Sequence, residues 1–209
     1  IEYTMEGDKV KSVKLTNVAS YLAAENLSVE CPDLGLLNID VCYGGNYYAI
    51  VEVQDHFKGI EHYTAGQLIA WSGELRKRIN QAHSFVHPLD PTINGCSHIL
   101  WTGKVLDESN TARNAVFYGD KAIDRSPCGT GTSARLAHWF TKGRLKQGEP
   151  FKHESIIGSV FIGKIEQVTQ LGEHQAIIPS IEGWAKIYGF NTISINPKDD
   201  PYAKGFQVV

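Results

Sequence analysis

Cys128 stands between Asp124-Arg125-Ser126-Pro127 and Gly129-Thr130-Gly131-Thr132-Ser133-Ala134. This puts one thiol at the mouth of a predicted helix whose first turn is built from Gly, Thr and Ser. Ala134, Leu136, Ala137, Trp139 and Phe140 follow at the spacing of a buried helical face, and Gly143 supplies a C-terminal stop. The first amides of a helix have no carbonyl one turn back, so the Gly129 and Thr130 N–H groups are free to bind an anion, and the helix dipole favours negative charge there. The same field is expected to lower the thiol's pKa from about 8.5. Glycines at 129 and 131 let a ligand approach the backbone closely. The pattern predicts a carboxylate held beside a thiolate. A lone Cys-Gly is most often a small buried hydrophobe. Here the proline before it, the Gly-Thr-Gly-Thr after it and Asp124 four residues ahead argue for chemistry instead.

Asp124 reads either as a carboxylate capping a turn or as a ligand group, and only the second requires it to face a cleft. His98 opens a predicted strand in Asn94-Gly95-Cys96-Ser97-His98-Ile99-Leu100, and a lone histidine there is more often structural than functional. Tyr118 ends a strand six residues before Asp124, where it either walls a pocket or packs as an edge aromatic. Cys31, Cys42 and Cys96 read as packing residues without chemistry. Arg125 and Arg135 read as structural.

The elements that must position these groups follow from periodicity. Val13 and Leu15 alternate with Lys14 and Thr16 as in a half-buried strand. The runs 39–43 and 47–53 flank Gly44-Gly45-Asn46, a hairpin signal. Thr64 with Gln67 forms a capping box, and Leu68, Trp71, Leu75 and Ile79 make one apolar stripe on the helix it opens. Strands are expected at 99–101 and 115–118, then near 156–168, 175–178 and 185–195. Strands outnumber helices and separate the two long ones, which gives an α+β class.

Composition sets the outer bounds. A chain of 209 residues can bury a substantial core in one large domain or parts of two. Twenty basic against 23 acidic residues give a net charge of −3, so there is no electrostatic case for nucleic acid. No apolar run approaches the roughly 20 residues of a membrane helix. Four scattered cysteines have neither the spacing of a zinc site nor the density of a disulfide framework, which points to a reducing, cytoplasmic setting. There is no Walker loop, Rossmann glycine pattern or ligand cluster, so no cofactor is called for: no pyridoxal phosphate, metal or nucleotide.

The stretch Asp124-Arg125-Ser126-Pro127-Cys128-Gly129-Thr130-Gly131-Thr132-Ser133-Ala134 resembles the second cysteine motif of the proline racemases and 4-hydroxyproline epimerases, without a change. The resemblance continues through 43–51, 114–119, 155–161 and 176–179 to Asp200-Pro201 and Gly205-Phe206. It implies a two-lobed, diaminopimelate-epimerase-like fold, each lobe a sheet wrapped around a central helix, with a cysteine at the start of each helix. Family members carry their first catalytic cysteine in a Met-Cys-Gly-His-Gly-Thr motif, and these 209 residues contain no such motif. The resemblance therefore implies the C-terminal portion of a longer enzyme. On that expectation the remainder of the first lobe spans 1–82 and the second lobe 83–209, the latter entered near the extended His87-Pro88 junction, with the last residues free to return to the first lobe.

The resemblance also implies roles. Cys128 is one of two acid/base thiols, Asp124 holds the substrate's secondary ammonium, and the Gly129 and Thr130 amides hold its carboxylate. His98 lies where the family contacts the substrate ring, and histidine there is similar to the hydroxyproline epimerases. An imidazole can hydrogen-bond a ring hydroxyl that proline lacks. The expected substrate is a small molecule, hydroxyproline or proline, interconverted between trans-4-hydroxy-L-proline and cis-4-hydroxy-D-proline in the leading case. Proline racemisation is the alternative. A 3-hydroxyproline dehydratase is disfavoured, because relatives with that activity replace the second cysteine by threonine. A non-catalytic, ligand-binding lobe stays open, as does a homodimer.

Overall fold

The computed structural model describes residues 1–205, so Phe206 and the three residues after it lie outside the description. The chain opens with the hairpin β1 (Glu2–Glu6) and β2 (Lys9–Thr16), followed by β3 (Ser20–Cys31), β4 (Gly35–Tyr43) and β5 (Tyr47–Val51). The helix α1 (Ala65–Ala82) leads to the small pair β6 (Val86–His87) and β7 (Asp90–Asn94), then to β8 (Cys96–Gly103), β9 (Ala112–Tyr118) and the short β10 (Ala122–Ile123). The helix α2 (Gly129–Thr141) precedes β11 (Pro150–Glu154), β12 (Val160–Leu171) and β13 (His174–Gly183).

Eight strands close on themselves. They run β3-β4-β5-β8-β9-β11-β12-β13, and β13 returns to pair with β3 through Ala176–Tyr21 and Ile177–Ser20. All neighbours are antiparallel except β5–β8 and β9–β11. Parallel neighbours need a crossover, and the two crossovers are the two helices. The second half of β13 pairs with β2, so the β1–β2 hairpin projects from the closed sheet.

The helices take opposite faces of the sheet. In β8 and β9, Ile99, Trp101, Ala115 and Phe117 join the cluster that holds the Leu68, Trp71, Leu75 and Ile79 stripe of α1. Leu100 and Val116 point the other way, to Cys42, Tyr48, Ile50, Cys128 and Ala134. Strands buried on both faces read as continuous apolar runs. α1 covers the sheet from outside and buries one stripe; its capping box forms as the sequence predicts. α2 is enclosed: every residue from Gly131 to His138 is buried, against strands on all sides.

The boundary placed near residue 82 falls inside the closed sheet, since β5 before it pairs with β8 after it. The two helices are an inner and an outer layer of one sheet, with α2 the helix that the sheet wraps. The strand expected over 185–195 does not form. Ile187, Phe190, Ile193 and Ile195 are exposed there, and alternation alone makes no strand without a neighbour to take its backbone hydrogen bonds. Val13 and Leu15 do lie on a strand, but both are about 40% exposed rather than turned into a core.

Candidate active site

Cys128 caps α2 with φ of 67°, a left-handed conformation that a β-carbon disfavours. Its backbone is therefore held from several directions. Cys128 N–H donates to Ser126 Oγ at 3.0 Å. Its carbonyl accepts from the Thr132 amide at 2.8 Å and from Thr132 Oγ1 at 2.7 Å. Behind Thr132, His153 Nδ1 lies 2.9 Å from the same hydroxyl, and the Asn114 amide donates to Pro127 O at 3.1 Å. Burial pushes the His153 imidazole well below its ordinary pKa and keeps it neutral.

This conformation turns the thiol back over its own helix. Gly131 N–H points at Sγ from 3.4 Å, and the Tyr48 hydroxyl reaches it at 3.3 Å. Tyr48 also bonds Thr130 Oγ1 at 2.6 Å. The hairpin turn at 44–46 seats against this first turn of α2. A methyl group on Gly44 would overlap Thr130 O and Ala134 N, and Gly45 has φ of 115°. The Gly129 and Thr130 amides, by contrast, have no acceptor among the described residues and stay available to an anion.

The sequence expectation of a depressed thiol pKa is corrected. Burial is the largest influence on Cys128 and raises it; Tyr48, Gly131 N–H and Thr130 pull it back, and the Asp124 charge adds to the rise. The helix field is outweighed because the sulfur has left water. The other three cysteines are also buried. Burial pushes Cys31 and Cys96 up to about 12 and Cys42 well above its ordinary value. Cys96 further donates its S–H toward the Tyr47 and His98 carbonyls.

Three of the expected residues, His98, Tyr118 and Asp124, connect to Cys128 through the Tyr48 ring or through charge. The His98 ring lies 4.7 Å from the Tyr48 ring and 6.5 Å from Tyr118, so three rings run in a row away from the thiol. Burial, then the Arg76 guanidinium, depress the His98 imidazole, while Asp124 works in the opposite direction. His98 Nδ1 is 2.7 Å from Ser97 Oγ. Tyr118 is 43% exposed and edges the site. Asp124 forms a turn and also faces a cleft. Its Oδ1 accepts from Ser126 N at 2.8 Å and Ser126 Oγ at 2.9 Å, a turn-forming role, while the residue also lines a cleft of about 400 Å³ with Ser126, Phe161 and Trp184. Its charge acts on both Cys128 and His98. Arg135 sits deeper in the barrel, 3.2 Å from Glu52 Oε1 and 3.0 Å from His138 Nδ1, away from the thiol.

Tyr48, Ser126, Thr132 and His153 escaped the sequence reading as site residues. Tyr48 is 80 positions from Cys128, and nothing local marks a strand tyrosine as facing a thiol. Ser126 was closer to legible, because a serine two residues after Asp124 suits an Asx turn.

A protein-family model described as proline racemase matches residues 1–207. A 4-hydroxyproline 2-epimerase from Spirosoma linguale is 64% identical over 208 residues, covering 100% of this chain and 62% of that protein. A 4-hydroxyproline epimerase from Brucella ovis is 57% identical with the same coverage. Among solved structures, a hydroxyproline epimerase from Agrobacterium vitis with bound trans-4-OH-L-proline superposes with a TM-score of 0.82 at 30% identity, covering 99% of this chain and 58% of that one. A probable proline racemase from Agrobacterium radiobacter K84 with bound carbonate gives 0.83 at 32% identity, with 99% and 60% coverage. The chain thus spans 62% of the length of these curated relatives. With the family match running over nearly its whole length, and solved structures superposing on nearly all of it, this chain belongs to the proline racemase family.

Proposed function

We propose that the protein is a cofactor-independent isomerase that inverts the α-carbon of 4-hydroxyproline, interconverting trans-4-hydroxy-L-proline and cis-4-hydroxy-D-proline. The observation that carries this reading is the Cys128 thiol beside two unpaired helix-start amides, with the Asp124 carboxylate close enough to influence it. The names of the Spirosoma and Brucella relatives support the same substrate.

In this reading the substrate carboxylate binds the Gly129 and Thr130 N–H groups, and its ammonium faces the free oxygen of Asp124. Removing the α-proton leaves the C–H electron pair on carbon, where it delocalises into the carboxylate. The helix-start amides stabilise the charge that develops there. Burial favours the protonated form of Cys128 at rest, so Cys128 acts as the acid on one face of the carbon while a thiolate on the other face takes the proton. In the reverse direction Cys128 is the base. The opposing thiol belongs to the first cysteine motif, which these 209 residues do not contain.

The test is made on the full-length protein with trans-4-hydroxy-L-proline in D₂O, read by chiral chromatography and mass spectrometry. Epimerisation with one deuterium gained at the α-carbon is expected, and Cys128→Ser should reduce it by about 10²–10⁴-fold. Proline turning over as fast as hydroxyproline would establish the proline racemase reading, which the Agrobacterium radiobacter neighbour favours. No exchange with either substrate would overturn both.

A further inference from the structure

An enzyme that inverts a carbon in both directions needs each catalytic thiol to be stable with its proton and without it. For a cysteine residue only 9% exposed to solvent, water cannot supply that stability. We propose that Tyr48 is a further catalytic residue, its hydroxyl bridging Cys128 Sγ and Thr130 Oγ1 as a reversible donor that holds Cys128 in both protonation states. The inference rests on Cys128 being the reacting thiol.

The geometry is specific. Tyr48 lies on β5 with its side chain fully buried, packed against the enclosed helix. Its hydroxyl is 3.3 Å from Sγ and 2.6 Å from Thr130 Oγ1. Gly131 makes the approach possible: a β-carbon there would stand 3.2 Å from Sγ and 3.3 Å from the Tyr48 ring. Burial raises the phenol's own pKa far out of the working range, so the hydroxyl keeps its proton and has one donor among three side-chain neighbours, Cys128, Thr130 and Asn46.

That single proton is enough for both states. When Cys128 is a thiolate, Tyr48 O–H donates to Sγ and Thr130 O–H donates to the Tyr48 oxygen. When Sγ has taken the α-proton, its S–H donates to the Tyr48 oxygen, and Tyr48 O–H turns to Thr130 Oγ1. The bond formed is S–H, the bond broken is Cα–H, and no proton leaves the tyrosine. Rotation of two hydroxyls keeps Sγ and the Tyr48 hydroxyl partnered in both states, which matters because an unpaired buried group is costly.

The experiment follows the rate of Cys128 carboxamidomethylation by iodoacetamide against pH in the full-length protein without substrate, mapped by mass spectrometry. Removing one hydrogen bond to a charged sulfur should move the inflection upward in Tyr48→Phe by about one to two pH units. Incorporating 3,5-difluorotyrosine at position 48, a stronger donor of nearly the same shape, should move it downward, and this arm stands if Tyr48→Phe fails to fold. A tyrosine that only packs would leave both profiles on the wild-type curve, and that result would overturn the proposal. The readout uses neither substrate nor turnover. A protein that fails to epimerise hydroxyproline but shows these opposed shifts would remove the proposed substrate and leave the Tyr48 assignment in place.

Discussion

At the residue scale, the proposed function makes His98 the group expected to separate hydroxyproline from proline. Its ring lies between Tyr48 and Tyr118, and burial with the Arg76 charge keeps it largely neutral near pH 7, so one ring nitrogen can donate and the other accept. A site built to bond a hydroxyl leaves a buried polar group unpaired when the hydroxyl is absent, a penalty of about 1–3 kcal/mol. At 1.36 kcal/mol per tenfold in rate, the expected preference for hydroxyproline is roughly five- to two-hundred-fold. His98→Ala should erode that preference chiefly by lowering hydroxyproline turnover, with proline turnover unchanged or slightly raised. Measuring kcat/KM for both substrates in wild type and variant checks this. A histidine that only packs would depress both substrates in parallel and leave the ratio intact.

At the element scale, α2 is anchored at both ends by polar groups inside an otherwise apolar barrel. At its start, Thr132 and His153 hold the strained Cys128 backbone. Toward its end, His138 lies fully buried, with Nε2 2.8 Å from Asp40 Oδ2 and Nδ1 3.0 Å from Arg135. Lys142 reaches the same Asp40 oxygen at 3.1 Å. Burial by itself would raise the Asp40 carboxyl, but the bonds from His138, the Asn26 amide and Lys142 outweigh it and hold the group well below the usual carboxylate range. A depressed folded-state pKa contributes stability that is present above the unfolded value of about 3.9 and lost as pH falls below it toward the folded value. Asp40→Asn should therefore cost about 1.5–3 kcal/mol at pH 7, with the gap to wild type narrowing on acidification below about pH 4. Urea denaturation across pH 2–8 (a range set by the carboxylate reference value of about 3.9) measures the gap, and a pH-independent difference would show that Asp40 acts through shape alone.

At the scale of the whole molecule, one closed sheet presents one thiol in a setting suited to proton transfer. Cys31, Cys42 and Cys96 are packed into the core with their pKa values pushed up by burial, and none borders Asp124 or the free amides. A two-base inversion therefore needs its second thiol from outside these 209 residues. The 209-residue chain expressed alone should fold its barrel yet give no epimerisation of hydroxyproline by chiral chromatography. Robust turnover by it would defeat the two-base mechanism. Tyr3, Met5, Trp184, Ile187, Tyr188 and Phe190 stand exposed on the projecting hairpin and on the segment after β13. Among the described residues no helix is long and apolar enough to cross a membrane.

The local chemistry was determined by the sequence itself. Residues 124–134 specify a turn, a thiol and a helix start, and Thr64 with Gln67 specifies the cap of α1, because each depends on groups within a few residues of one another. The 44–46 hairpin was legible for the same reason. What only the tertiary structure decided lies at long range. The closure of β3 on β13 joins residues more than 150 positions apart, and β5 pairs with β8 across residue 82. Enclosure of α2 follows from that closure, and with it the removal of Cys128 from water, which reverses the pKa shift expected from the helix dipole. Tyr48 meets Sγ only because β5 lies beside β8 in the wall around α2. A sequence records which residues are apolar or polar, but the balance between a helix field and desolvation depends on how much water the assembled barrel excludes.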